Sequence, residues 1–115
     1  MKVVICMQAE ELKIMVEEIK RQKQKRQCVE LKAAHQGCPT RLFDTLSSFS
    51  NQDDGGIIIF GIDESKGYDI VGVYDVQDLQ KKVTEQCKQM EPRVLALFTV
   101  CEINDKLVVS AEIPG

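Results

Sequence analysis

The stretch Gly55-Gly56-Ile57-Ile58-Ile59-Phe60-Gly61-Ile62 constrains this chain more than any other. Large apolar residues stand in a row, most of them β-branched, directly after a glycine turn. Such a run does not alternate with polar residues, so it reads as a central strand, Ile57 to Ile62, buried on both faces. The rest of the chain must supply the cover. With 115 residues, 43% hydrophobic and 29% charged, there is material for one soluble, globular domain. A chain of this size buries roughly two thirds of its unfolded surface, enough for a core without disulfide staples.

From Ala9 to about Arg21, Leu12, Met15, Val16 and Ile19 recur at helical spacing. Residues 2–6 either form a strand or lead into this helix, since Val3, Val4 and Ile5 favour strand only weakly. The segment Cys28 to Ala33 alternates, which predicts a strand with Val29, Leu31 and Ala33 inward and Cys28, Glu30 and Lys32 on the other face. Gly37 breaks the chain. Pro39 suits the first position of a helix whose buried stripe is Leu42, Phe43, Leu46 and Phe49. Residues 51–56 form a turn, shaped by Asn51, Gly55 and Gly56. Asp63 to Gly67 predicts a hairpin loop, and Ile70 to Val73 the returning strand. Asp75 is placed to cap a helix, with Asp78 as its box partner and Leu79, Val83, Cys87 and Met90 inside. Val94 to Ile103 and Lys106 to Ile113 are strands around a tight Asn104-Asp105 turn.

The expected fold is therefore α+β: a mixed β-sheet with helices mainly on one face, in the order α-β-α-β-β-α-β-β. It is a single domain over residues 1–115, with an N-terminal helix and basic segment in 1–27 and a core in 28–113. The last strand runs to Pro114-Gly115 without a capping element. The expectation is an N-terminal part of a longer protein whose C-terminal domains are missing.

No run approaches the ~18 apolar residues of a membrane-spanning helix. Val3 to Met7 is too short for a secretory signal and is followed by Glu10-Glu11. Five cysteines (Cys6, Cys28, Cys38, Cys87 and Cys101), odd in number and without a C-x-x-C pair, argue against a disulfide framework or structural zinc and suit a reducing cytoplasm. Cys28, Cys87 and Cys101 are expected as small packed side chains. A net charge of −3, from 15 basic and 18 acidic residues, excludes a nucleic-acid binder that is basic all over. It leaves room for a local patch. Lys20, Arg21, Lys23, Lys25, Arg26 and Lys32 face a single acid, Glu30, within residues 20–32.

The Asp54-Gly55-Gly56 turn lacks the lysine and following helix of a phosphate-binding loop. His35 and Cys38 have the spacing of a thiolate–imidazole couple, but nothing orients the histidine. Glu30, Asp63 and Glu64 are candidate ligands for a divalent cation, as in metal-dependent nucleases, provided their strands are neighbours. The alternative is solvated strand and turn residues. Aromatics for base stacking are few, namely Phe43, Phe49, Phe60, Phe98, Tyr68 and Tyr74, and the phenylalanines are expected inside. Backbone contact through cations is thus the favoured mode of nucleic-acid binding.

Four segments, taken in order, resemble the Schlafen-type AlbA-like domain: Val29-Glu30-Leu31-Lys32, Leu46 to Asn51, Gly55 to Asp63, and Ile70-Val71-Gly72-Val73. The likeness spans about residues 28–113. It implies a nucleic-acid-binding module of bacterial proteins described as transcriptional regulators or helicase-related, cytoplasmic, without a resident cofactor. The surface expected to bind combines Lys23, Lys25, Arg26, Lys32 and Lys66, read from the basic run, with DNA as the expected partner. Eukaryotic Schlafens that cut RNA use three carboxylates, and matching by position gives Lys25, Glu30 and Glu64 here. Lys25 departs from that pattern, because a lysine repels the cation an acid would hold. The enzyme alternative is then a Mg²⁺- or Mn²⁺-dependent ribonuclease using Glu30, Glu64 and Asp63. A further alternative is a homodimeric assembly module with no nucleic-acid role.

Overall fold

The computed structural model describes residues 7–23, 28–39 and 42–115. Helix α1 (Ala9–Gln22) is followed by β1 (Val29–Lys32), α2 (Phe43–Ser50), β2 (Gly56–Phe60), β3 (Ile62–Asp63) and β4 (Asp69–Ile70). Then come α3 (Val76–Gln89), β5 (Leu97–Ile103) and β6 (Lys106–Ile113). One sheet has the order β1-β2-β6-β5, and β3 with β4 makes a separate small ribbon. β1 lies parallel to β2, from Val29 opposite Ile57 to Lys32 opposite Phe60. Parallel neighbours need a crossover, which α2 supplies. β6 runs antiparallel to both β2 and β5, so the sheet is mixed.

The isoleucine run does become a central strand. Ile58 and Phe60 pack on one face with Leu42, Leu46 and Phe49 from around α2 and Leu79, Val83 and Cys87 from α3. Ile59 packs on the opposite face with Leu12, Val16 and Ile19 of α1. Among the described residues, two of the three helices thus share one face while α1 covers the other. Alternate side chains of one strand feed two separate cores, and each core needs its own helical cover.

α1 is tied to the sheet at its start. The Met7 N–H donates to Glu112 Oε2 at 3.0 Å, and Thr99 Oγ1 donates to the Met7 carbonyl at 2.8 Å. The N–H of Gln8 donates to Glu11 Oε1 at 3.4 Å, closing the first turn of the helix.

Several local expectations need correction. The central strand does not continue to Ile62: Gly61 takes φ +109 and its carbonyl accepts the N–H groups of Val71 (2.9 Å) and Gly72 (3.0 Å). That bend ends β2 and leads into the expected hairpin, β3–β4, whose returning strand is Asp69–Ile70 and stops short of the expected Val73. Pro39 does not open a helix, because α2 begins at Phe43. Gln86 of α3 holds the preceding loop instead, donating from Nε2 to the Pro39 carbonyl at 2.9 Å and accepting the Leu42 N–H at 3.1 Å. Phe43 is consequently turned outward, 43% exposed, and is not part of the buried stripe. Ala34, not Ala33, is the buried alanine after β1. Val94 to Ala96 precede β5 and do not pair with it. Residues 2–6 lie outside the described residues.

Candidate nucleic-acid interface

The sheet has two ends, set by register. One end gathers the starts of β1 and β2 and the finish of β6, where Gly56 pairs with Ile113. Gly55 (φ +66) and Gly56 are both buried here. A Cβ on Gly55 would run into the Ile113 carbonyl, and one on Gly56 would fall on the Phe49 ring. Asn51 sits at the C-cap of α2, its N–H donating to the Ser47 carbonyl at 3.2 Å. The space on the Cβ side of both glycines is thus filled with protein.

The other end is an open rim. It collects the finish of β1 and β2, the β3–β4 ribbon, the β5–β6 turn and the C-terminal end of α1. Lys23 is the C-cap of α1 in the left-handed region (φ 53, ψ 41), its N–H donating to the Ile19 carbonyl. Lys20 Nζ, one turn back, lies 4.0 Å from Asp69 Oδ1 of β4, which fixes this helix end against the ribbon. Both side chains are about half exposed, and such pairs contribute only about 0–1 kcal/mol, so a phosphate can compete for the lysine. Lys13, Lys20, Arg21 and Glu17 line a groove of about 350 Å³ floored by Ile70 and Ile103.

Lys32 is the last residue of β1, and its carbonyl accepts the Gly61 N–H at 2.8 Å. With Glu30 it projects on the face opposite α1, since the alternate Val29 and Leu31 join the α1-side core. Lys66 stands in a single 3-10 turn, Glu64–Lys66, that follows β3. Asp63 caps that turn, accepting from Ser65 Oγ at 2.6 Å and from the Ser65 N–H at 3.0 Å. The Ser65 hydroxyl holds the Asp63 carboxyl below the ordinary aspartate range, with smaller pulls from Lys66 and His35. Lys25 and Arg26 lie outside the described residues.

The expected chemistry divides on this geometry. Among the described residues no group of three or more His, Cys, Asp and Glu side chains is placed to hold a metal ion, and Glu30, Asp63 and Glu64 are not brought together as one. His35 and Cys38 form no couple either. The Cys38 thiol instead donates to the Pro39 carbonyl at 3.3 Å. Burial pushes the Cys38 thiol up, against a smaller opposite pull from Lys82 of α3, the direction that disfavours a thiolate. Cys87 and Cys101 are buried as expected, and burial raises both thiols. Cys28 is half-buried and donates to Gln52 Oε1 at 3.6 Å.

Sequence reasoning missed Lys106 and Lys13. Lys106 starts β6 after the Asn104-Asp105 turn, whose two positive φ values (52 and 64) are those of a tight hairpin. Its stem lies against Gly72, which places it on the rim. The turn was legible; which end of the sheet it occupies was not.

A mixed four-stranded sheet covered on both faces by helices defines a small α+β module. The family described as Schlafen, AlbA_2 matches residues 10–115, and this chain belongs to it. Over 95% of its length the chain is similar to the N-terminal domain of a protein from Nitrosomonas europaea related to the ATP-dependent DNA helicase RecG, whose structure was solved by NMR (TM-score 0.73, 21% identity, 74% of that chain). It is also similar to the DIP2311 protein from Corynebacterium diphtheriae, seen in a crystal structure (TM-score 0.51, 16% identity). That match covers 92% of this chain and 25% of the other, so the chain spans about a quarter of it. At these identities the likeness is one of fold. No curated protein sequence matches the chain. Among the described residues, no helix is long and apolar enough to cross a membrane.

Proposed function

We propose that this chain is a nucleic-acid-binding domain that grips the phosphate backbone along the open rim of its sheet. In its finer form, the ligand is DNA and the setting is a cytoplasmic transcriptional regulator. One observation supports the reading: several element ends and turns that carry cations lie at the same end of the sheet, on both of its faces. Lys20, Arg21 and Lys23 come from the end of α1, Lys32 from the end of β1, Lys66 from the 3-10 turn and Lys106 from the start of β6. Lys25 and Arg26, next in the chain after α1, belong to the same proposal. Rim acids are partly engaged already, Asp69 with Lys20 and Asp63 with Ser65. Phosphate contact needs clustered cations and little shape, and a net charge of −3 demands that such a cluster be local.

The test is binding of labelled DNA and RNA measured between about 50 and 200 mM salt. Contact through several phosphates weakens steeply over that range. A Lys25→Glu/Lys32→Glu variant should lose most of the binding. No binding at the lowest salt would sink the reading and leave the assembly module. Cleavage of labelled RNA with Mn²⁺, abolished by Glu30→Ala, would replace it with the nuclease.

A further inference from the structure

We propose that Tyr74 is a base-stacking platform, so that the rim takes single-stranded nucleic acid in preference to duplex. This rests on the nucleic-acid reading above and adds the form of the ligand. Tyr74 is 78% exposed, the most exposed of the large apolar side chains described. Single exposed apolar residues are ordinary on protein surfaces. This one differs in how firmly it is mounted. Its own N–H donates to the Ala34 carbonyl at 3.2 Å, and the preceding Val73 N–H donates to the Leu107 carbonyl at 2.8 Å. The following Asp75 caps α3, its carboxylate accepting the Asp78 N–H at 3.0 Å. Three consecutive residues are thus fixed to three different parts of the fold, while the ring between them stands in solvent.

The surroundings fit a nucleic-acid strand. Ala34 takes φ +54, a conformation that costs a non-glycine residue about 1 kcal/mol or more, and its carbonyl accepts from both Gly37 (3.4 Å) and Tyr74. This bend buries Ala34 and leaves the next residue, His35, exposed beside the segment that carries Tyr74. On the other side, Gly72 packs so tightly on the Lys106 stem that a Cβ there would lie 3.1 Å from Lys106 Cβ. The tyrosine thus follows by two residues the glycine that packs on the Lys106 stem, and its N–H is bonded to the residue before His35, at the rim end of the sheet. An aromatic face with flanking cations is what single strands offer their bases and phosphates to. In a duplex both faces of each base are already stacked, and Tyr74 has nothing to take.

The chain has no tryptophan and two tyrosines, and the other, Tyr68, packs against the α1-side core. Tyr68 is only partly buried, so the quenching that reports Tyr74 is the share that Tyr74→Phe removes. The experiment compares wild type, Tyr74→Ala and Tyr74→Phe by anisotropy, at low salt, against a labelled single strand and the matching duplex. Tyr74→Ala should weaken single-strand binding about ten-fold, the order expected for one base–aromatic stack, and leave duplex binding within about two-fold. Tyr74→Phe should bind like wild type while losing the quenching. If wild type binds and Tyr74→Ala changes neither probe, or both equally, the stacking inference is wrong and the phosphate reading stands. If wild type binds neither probe, the phosphate reading has failed and takes this inference with it.

Discussion

The two ends of the sheet use the same residue types to opposite effect. Gly55 and Gly67 both adopt φ +66. At the closed end Gly55 is pressed against the Ile113 backbone, while at the rim a Cβ on Gly67 would meet nothing within 4 Å. One glycine is required by packing and by its dihedral; the other by its dihedral alone. The closed end is a plug in which turn, Phe49 ring and last strand fill the space. The rim is a set of turns mounted on hydrogen bonds, with charged and aromatic groups facing outward. A glycine-rich motif in a sequence therefore does not announce a ligand cradle. Its neighbours in space decide.

The sharpest way to break this comparison is to add one methyl group at each end. Gly55→Ala should destabilise the fold by about 3 kcal/mol, combining overpacking with a left-handed alanine, whereas Gly67→Ala should cost only about 1 kcal/mol. Urea midpoints of the two variants measure the difference, and equal losses would mean the closed end is not filled as described. Charge reversal at the rim should act on binding and spare stability. Lys23→Glu with Lys66→Glu should weaken DNA binding at least about ten-fold and flatten its logarithmic salt slope by about two, with unfolding changed by less than about 0.5 kcal/mol. A stability loss in that double variant would mean these lysines serve the fold.

A smaller effect lies between the ends. Ser110 of β6 is completely buried and its Oγ has no hydrogen-bond partner among the described residues. Ser110→Ala removes that desolvated hydroxyl and should raise stability by about 0.5–1 kcal/mol in the same urea assay. The smallest is electrostatic. Because Asp63 is held below the ordinary aspartate range, near 3.9, it favours the folded state above that pH and loses the contribution as pH falls through its lowered value. Ser65→Ala deletes the main cause and should move the Asp63 titration, followed by NMR at its carboxyl carbon, back toward the ordinary value.

Much of the fold was legible from patterns that depend on neighbours in sequence. The isoleucine run, the α1 stripe, the Asp75 cap and the Asn104-Asp105 turn each form where local chemistry directs. The Asp75 box is only half as expected: Asp78 donates its N–H to Asp75, but its carboxylate pairs with Lys82 at 3.0 Å. The failures came from distant contacts. Gln86 holds Pro39 out of α2 from 47 residues away, and no local propensity carries that information. Gly61 read as part of a strand because a run of apolar residues flanks it; its bend is set by the carbonyl bonds to Val71 and Gly72. At the rim, Lys23, Lys32 and Lys66 could be nominated by charge, but which end of the sheet each of them occupies, with Tyr74 and Lys106, depends on strand order and register.

α1 is also the one helix over that side of the sheet among the described elements, with Ile62 and Ile70 of the ribbon beside it. Remove it, and Ile59, Cys101, Ile103 and Val108 become a wet apolar slab. A shortened version starting at β1 would clump through that bare surface, and any dimer seen with it would report the missing roof and say nothing about how intact copies behave.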